Sequence, residues 1–392
     1  MTMAWPEARL GDVAKIERSS IAPGAITSGT IYVGLENMTA DGRFDGHGPV
    51  QAGELASQKY RFSSEHVLYG KLRPYLSKIA IPSFSGVCST DILPIRPGTK
   101  LDKRFLFHFL RHPSQVAKAA SLATGANLPR LSPKVFAEVS VPLPPIEEQR
   151  RITALLDAAD ALRAKRRQAL AKLDTLTQAV FVDMFVGMGS TGWETVRVKS
   201  IAADRKGAIR TGPFGSQLLH TEFVDEGVAV LGIDNAVQNR FTWDRRRFIT
   251  ERKYAQLHRF RVFPGDVLVT IMGTCGRVAI VPDDIPLAIN TKHLCCITPD
   301  QDRCLPDFLW ACLRFHPRVL RQLGATHGAV MPGLNMARIQ EAEIDLPPID
   351  LQSRFSECKA TIERSLNLYR ESLRQLNSLF ASIQQRAFRG EL

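Results

Sequence analysis

Two stretches of this chain carry mostly apolar positions at alternating spacings of three and four. Ile152, Leu155, Ala159, Leu162, Arg166, Ala169, Leu173, Leu176 and Val180 mark the first stripe; Ile362, Leu366, Tyr369, Leu373, Leu376, Phe380 and Ile383 mark the second. Neither stretch contains Pro or Gly. A 3.5-residue repeat is the seam of a coiled coil. The pattern therefore predicts two long helices, with Leu155, Leu162, Leu173 and Leu176 facing Ile362, Tyr369, Leu373 and Leu376. Roughly 38 residues at about 1.5 Å each give a rod of about 57 Å. Two amphipathic helices lying on separate domains would carry similar stripes; the matched length and register favour pairing with each other.

Elsewhere the pattern shortens to β-rich runs between Gly and Pro turns. Ile31-Tyr32-Val33, Lys78–Ile81 and Asp91–Ile95 predict strands early in the chain; Val228–Leu231, Val267–Ile271 and Val278–Val281 predict them later. Short helices are expected at Lys103–Leu110 and Asp307–Arg314, each followed by His-Pro, where proline should end it.

These elements recur because the sequence repeats. Leu143-Pro144-Pro145-Ile146-Glu147-Glu148-Gln149 returns as Leu346-Pro347-Pro348-Ile349-Asp350-Leu351-Gln352. Val33-Gly34-Leu35-Glu36-Asn37 returns as Leu231-Gly232-Ile233-Asp234-Asn235, and Trp5, Ala123-Thr124 and Phe185 have partners in Trp193, Ala325-Thr326 and Phe388. The offset drifts from 188 to 203, so the halves differ by modest insertions. The expected fold is mixed α/β: two tandem globular α+β domains separated by two long helices in an antiparallel coiled coil, with pseudo-two-fold symmetry. The helices would act as a spacer bar. The expected boundaries are 1–142 and 189–345 for the globular domains, with helical regions at 143–188 and 346–392. Two copies of one fold about such an axis suit a ligand with two half-sites.

Charge narrows the ligand. The net charge is +12, of which residues 145–190 hold +1 and residues 347–392 hold +2, leaving +9 on the globular halves. That excess suits a polyanion, since neutralising phosphates releases condensed counterions, although basic charge also serves solubility alone. Seven scattered cysteines without a C-x-x-C pair argue for reduced thiols, and adjacent Cys295 and Cys296 beside His293 make a poor zinc site. No run of about 18 or more apolar residues and no charged-then-apolar leader occurs, so a cytoplasmic protein without membrane contact is expected.

Catalytic signatures are missing. There is no G-x-x-x-x-G-K-[ST] loop, G-x-S-x-G elbow, H-E-x-x-H pair or [ND]-P-P-[YFW] tetrapeptide. No catalytic, metal-ligating or cofactor-binding residue is therefore assigned.

Candidate contacts lie on the globular halves. Lys71, Arg73 and Tyr75 alternate, so an extended segment would present them on one face, as a phosphate-and-base ladder or as a solvated edge strand. Lys78 follows them. Arg210, Thr211, Ser216 and Gln217 sit in a glycine-rich turn that suits either close approach to phosphate or a purely structural role. Arg245 and Arg246 belong to a basic run, and Lys292 precedes His293. The loops holding Asn127 and Arg130 in one half and His327 in the other occupy equivalent places with different sequences. Two half-sites of different sequence require such a difference, and loop drift would also produce it.

Taken together and in order, the Leu-Pro-Pro-Ile-x-x-Gln repeats, the Thr-Gly-Pro-Phe-Gly-Ser-Gln turn at 211–217, the Ala-Thr-Gly loop at 123–125 and the terminal Ala387-Phe388-Arg389-Gly390-Glu391-Leu392 resemble the DNA-specificity subunits of type I restriction–modification systems. The resemblance covers essentially the whole chain. It implies two target-recognition domains, each reading half of a split, asymmetric sequence in double-stranded DNA, with the helices fixing the unread spacer. It implies two adenine-N6 methyltransferase subunits as partners, joined by motor-nuclease subunits in the restricting assembly. S-adenosylmethionine, ATP and Mg would then be bound by those partners and not by this chain. The first half has Pro23-Gly24-Ala25-Ile26 where the second has its Gly-Pro-Phe-Gly turn, so base contacts do not transfer between halves. A non-enzymatic adaptor with duplicated protein-binding domains is the alternative reading.

Overall fold

The computed structural model describes residues 5–186, 192–243, 245–324 and 334–392. It divides into two units, Met1–Gln168 with Glu371–Leu392, and Ala169–Arg370.

In the first unit a five-stranded sheet runs in the order Ser20–Ile21, Lys59–Phe62, Gly86–Cys88, Thr30–Val33, Gly48–Val50. An antiparallel sheet runs Ala14–Ile16, Ile92–Pro97, Val67–Gly70, Ile79–Ala80. The second unit has the same plan. One sheet orders Phe248–Ile249, Val228–Leu231, Ala288–Asn290 and Arg261–Val262; the other orders Ile209–Thr211, Leu294–Ile297, Val267–Thr270 and Val278–Ile280. Each plan contains one parallel pair, Thr30–Val33 with Gly86–Cys88 and Val228–Leu231 with Ala288–Asn290. Val228–Leu231 is buried along its whole length, which is why it reads as an unbroken apolar run rather than an alternating one.

The repeated motifs mark buried polar joints. Gln149 is fully buried; its Oε1 accepts from Asp102 N (2.8 Å) and its Nε2 donates to the carbonyls of Lys100 (2.9 Å) and Pro144 (2.8 Å). Gln352 repeats this with Leu305 N (2.8 Å), Arg303 O (3.0 Å) and Pro347 O (2.9 Å). One side chain thus ties the start of a long helix to the loop entering a short one. Gly34 N donates to Asn37 Oδ1 and Gly232 N to Asn235 Oδ1, both at 2.8 Å, closing the same turn after the same strand.

Lys103–Leu110 is helical as expected, and its twin spans Pro306–Phe315. The His-Pro prolines end these helices and also open the next ones, Pro113–Ser121 and Pro317–Gln322, because proline is preorganised for the first helical position.

The long helices are Ile146–Phe185 and Ile349–Arg389. In the first unit Arg163 Nε donates to Asn377 Oδ1 (2.8 Å), its guanidinium lies 4.2 Å over Phe380, and Gln384 Nε2 donates to His108 O (3.1 Å). Ile152 and Leu156 share a core with Ala387 and Phe105. Rising numbers on one segment meet falling numbers on the other, so the segments are antiparallel. The second unit repeats the arrangement: Arg370 approaches Asp174 (3.5 Å), and Phe355 packs against Phe181 and Phe185 at ring separations of 5.7 and 5.6 Å. The architecture is the mixed α/β one expected, with tandem α+β domains and long antiparallel helices.

The second helix follows the expected stripe, and the first departs from it at three leucines. Leu155 (42%), Leu162 (53%) and Leu176 (41%) are exposed, while Ile152, Leu156, Ala159, Thr177 and Phe181 are buried. Each helix buries one stripe against a globular core as well as against its neighbour, and that core selects the stripe through Leu156 and Phe181. Ile362 is buried, and Leu173, Tyr369, Leu373 and Leu376 are half-buried.

Candidate nucleic-acid interface

In each unit, loops gather at the carboxyl ends of the parallel strands, the usual place for ligands in sheets of this kind. In the first unit Ser89 N donates to Val33 O (3.0 Å), Lys71 N to Asp91 O (2.9 Å), Leu131 N to Lys71 O (2.9 Å) and Arg73 N to Pro129 O (2.7 Å). These bonds join the loops 34–37, 71–78, 89–91 and 124–131 into one edge. In the second unit Thr291 N donates to Leu231 O (2.9 Å) and Ile271 N to His293 O (2.9 Å). Gly212 lies so close to this edge that a Cβ there would sit 2.1 Å from Asn290 O, which is the reason for glycine in the Thr-Gly-Pro-Phe-Gly turn. The edge therefore collects the turn 211–217, loop 271–277, loop 291–293 and turn 232–235.

Several expected contacts fall on these edges in altered form. Lys71, Arg73 and Tyr75 do not form an extended ladder. Pro74 opens a 3-10 turn over Pro74–Leu76, and Arg73 takes a left-handed conformation (φ 51°) to enter it. Arg73 and Tyr75 remain exposed, Tyr75 at 53%, beside exposed Leu76 and Leu128. Lys78 is half-buried and committed inward, its Nζ donating to Leu35 O (2.5 Å). Asn127 is exposed, and Arg130 is held by Asp91, with Nε to Oδ1 at 3.0 Å.

In the second unit Arg210 is corrected from reader to strut. It is 7% exposed; Nη2 lies 2.5 Å from Asp266 Oδ2, Nε and Nη2 donate to Arg261 O, and Nη1 donates to Thr298 Oγ1 (3.0 Å). Its donors are spent, because a buried guanidinium must be paired on all sides. Thr211 is half-buried and Ser216 is exposed; Gln217 is exposed and caps its own turn by accepting from Phe214 N (3.2 Å). Lys292 is half-buried at the edge. Burial, with Lys292 and Arg247 nearby, pushes the pKa of His293 down. Arg245 and Arg246 are exposed, with Arg246 5.5 Å over Trp243. His327 lies outside the described residues. Sequence reasoning missed Leu76, Leu128, Phe214 and Met272, exposed apolar side chains at the two edges. Large apolar residues inside Gly- and Pro-rich turns were the available signal.

Cys295 and Cys296 sit on one strand and face opposite cores, so they cannot share an ion. Among the described residues no group of three or more His, Cys, Asp or Glu is placed to hold a metal.

The chain matches the family described as "Type I restriction modification DNA specificity domain" over residues 4–173 and again over 191–376. It is 29% identical over 209 residues to the type I restriction enzyme EcoDI specificity subunit of Escherichia coli, covering 52% of this chain and 46% of that protein. It is 24% identical over 320 residues to the EcoBI specificity subunit of the same species, covering 75% and 66%. The chain thus spans about half to two thirds of the length of these relatives. Among solved structures, the S subunit of a type I restriction-modification system from M. genitalium aligns with a TM-score of 0.60 at 13% identity, over 98% of this chain and 96% of that one. A chain from "Structural basis underlying complex assembly and conformational transition of the type I R-M system" aligns with a TM-score of 0.65 at 20% identity, over 99% and 98%. These two likenesses concern the fold. With one family match in each half and both halves built on one plan, the chain belongs to the type I restriction–modification DNA specificity family.

Proposed function

We propose that this chain reads a bipartite, asymmetric DNA target, one half-site at each edge, and positions adenine-N6 methyltransferase and restriction subunits on it without catalysing a reaction itself. The observation that carries this reading is a repeated backbone frame with unlike exposed side chains. Gly34/Asn37 and Gly232/Asn235 close identical turns, while Arg73, Tyr75 and Asn127 stand exposed on one edge and Phe214, Ser216 and Gln217 on the other. Equivalent frames give each half-site the same docking geometry, and unlike side chains give it a different sequence. Lys71, Arg73, Arg130, Lys292, Arg245 and Arg246 would position phosphates; Asn127, Ser216 and Gln217 would address base edges. The apolar tips at Tyr75, Leu76 and Leu128, and at Phe214 and Met272, suit base faces and thymine methyl groups.

In this reading the recognition domains occupy 1–142 and 189–345, and helical regions 143–188 and 346–392 set the spacer. The exposed leucines, Leu155 and Leu162 in one unit and Leu176 with Val182 in the other, give each of two methyltransferase subunits an apolar row to cover. S-adenosylmethionine, ATP and Mg belong to the partner subunits, and the assembly works in the cytoplasm.

The test is a map of N6-methyladenine in a host genome, with and without this gene, co-expressed with its methyltransferase. A new split motif with one fixed spacer is expected. Methylation unchanged by the gene, with assembly verified, would refute sequence reading and favour the adaptor.

A further inference from the structure

In the second unit the short helix Pro306–Phe315 ends beside a groove of about 710 Å³. Four cations and three carboxylates line it. Lys359 Nζ lies 2.9 Å from Asp307 and 2.7 Å from Glu363; Arg370 approaches Asp174 at 3.5 Å; Arg240 donates to Gln238 Oε1. Arg314 is the cation left over. Its guanidinium carbon lies 4.5 Å from the centre of the Trp310 ring and 4.5 Å from that of Phe315, two rings set at right angles to each other, and among the described residues nothing accepts a hydrogen bond from it. Behind it, Arg277 Nε is buried without a partner. Burial, with the Arg277 charge nearby, pushes the Arg314 pKa down to about 10.

The first unit shows what this position ordinarily contains. There the matching helix ends on Arg111, which lies 4.7 Å over Phe107 and has the Asp160 carboxylate within 4.0 Å. A half-buried guanidinium, partly stripped of water, favours an acceptor. Arg111 leaves its Nε buried and unpaired but has the Asp160 carboxylate and the Ala40 carbonyl (3.3 Å) from its own chain, whereas Arg314 has only its rings and an open groove.

We propose that this groove docks an acidic side chain of a partner protein, whose carboxylate takes the free edge of the Arg314 guanidinium. The two perpendicular rings confine the guanidinium without using its N–H groups, which leaves its donors available for two parallel bonds to a carboxylate. A DNA backbone fits less well, because successive phosphates would meet Asp174, Asp307 and Glu363 in the same groove. An arginine set among Trp310, Phe241 and Phe315 also has the composition of a protein-binding hot spot. The inference rests on the reading above that the chain assembles with methyltransferase subunits.

The experiment uses the full chain with those subunits, comparing wild type, R314M and R314K. R314M should assemble at least about 30-fold more weakly, with R314K in between because it keeps charge but loses the fork. DNA affinity of the isolated chain should not change. Unchanged assembly, or a loss confined to DNA binding, would overturn the inference alone; a wild type that fails to assemble would overturn the underlying reading too. A photo-crosslinking side chain at exposed Asn367, on the groove, gives a readout independent of the stability of the Arg314 variants. Crosslinks into an acidic segment of the methyltransferase support the site. Crosslinks elsewhere, or none, refute it.

Discussion

The first unit ties its edge strand to the turn before its central strand through Glu17 and His66, with Nε2 and Oε2 3.0 Å apart. The second unit makes the same tie through Arg210 and Asp266 at 2.5 Å. The positions correspond. Ile16 and Ile209 pair with Ile95 and Ile297, which pair in turn with Val67 and Val267. Glu17 and Arg210 follow the first two residues, and His66 and Asp266 precede the last two. The turns match as well: Ser63 N donates to His66 Nδ1 (3.0 Å) and Phe263 N to Asp266 Oδ2 (2.8 Å). The carboxylate has changed sides. The fold therefore demands a polar link at this joint and leaves its polarity open, because a buried pair needs only that its members match. For the same reason Arg210 belongs to the scaffold even though its motif looks like a reading loop.

The largest expected effect comes from cutting the more buried of the two links. Arg210→Ala leaves Asp266, fully buried, without its counter-ion, and should cost about 3–5 kcal/mol in denaturant unfolding. Refolded or ligand-stabilised protein should still recognise the same DNA sequence. An altered target with unaltered stability would return Arg210 to the reading surface and break the equivalence with Glu17.

A smaller effect is expected at the edges, where the units differ in side chain and not in frame. Tyr75→Ala and Phe214→Ala remove tips that are 53% and 51% exposed, so neither should change stability noticeably. Each should lower discrimination at one half-site by about 1–3 kcal/mol, the usual worth of a base-reading contact. Binding measured on DNA altered in one half-site at a time separates the two. If either variant weakened both half-sites equally, one reader per edge would be wrong.

The same contrast explains what was legible in the sequence. Long stretches free of Pro and Gly revealed the helices, and the repeats marked the positions of the joints without showing their role: Gln149, Gln352, Asn37 and Asn235 each satisfy backbone groups of the same frame in both units. The burial of Arg210 was not legible, since its partner lies 56 residues away and carries no local signature. Nor was the exact stripe of the first long helix. Leu155 and Leu156 are equally apolar neighbours, and only the core around Phe105 and Phe136 selects Leu156. Arg73 was misplaced because alternation assumes extended backbone, which Pro74 interrupts.

The smallest effect separates the two links by pH. The hydrogen bond from His66 holds the Glu17 carboxyl below the usual carboxylate range; burial opposes this, and the Arg96, His66 and Lys15 charges add to the lowering. A carboxyl whose folded pKa lies below its unfolded value of about 4.3 binds its proton more readily in the unfolded chain. The stability it supplies is therefore fully present above that value and is lost as pH falls through the lower, folded one. Glu17→Gln keeps the shape of the side chain and removes the titration. Unfolding of the first unit followed from pH 6 to about 3 should then depend less steeply on pH in the variant than in the wild type. Parallel profiles would mean that Glu17 contributes no linkage, and that the carboxylate at this joint of the first unit is a matter of packing rather than charge.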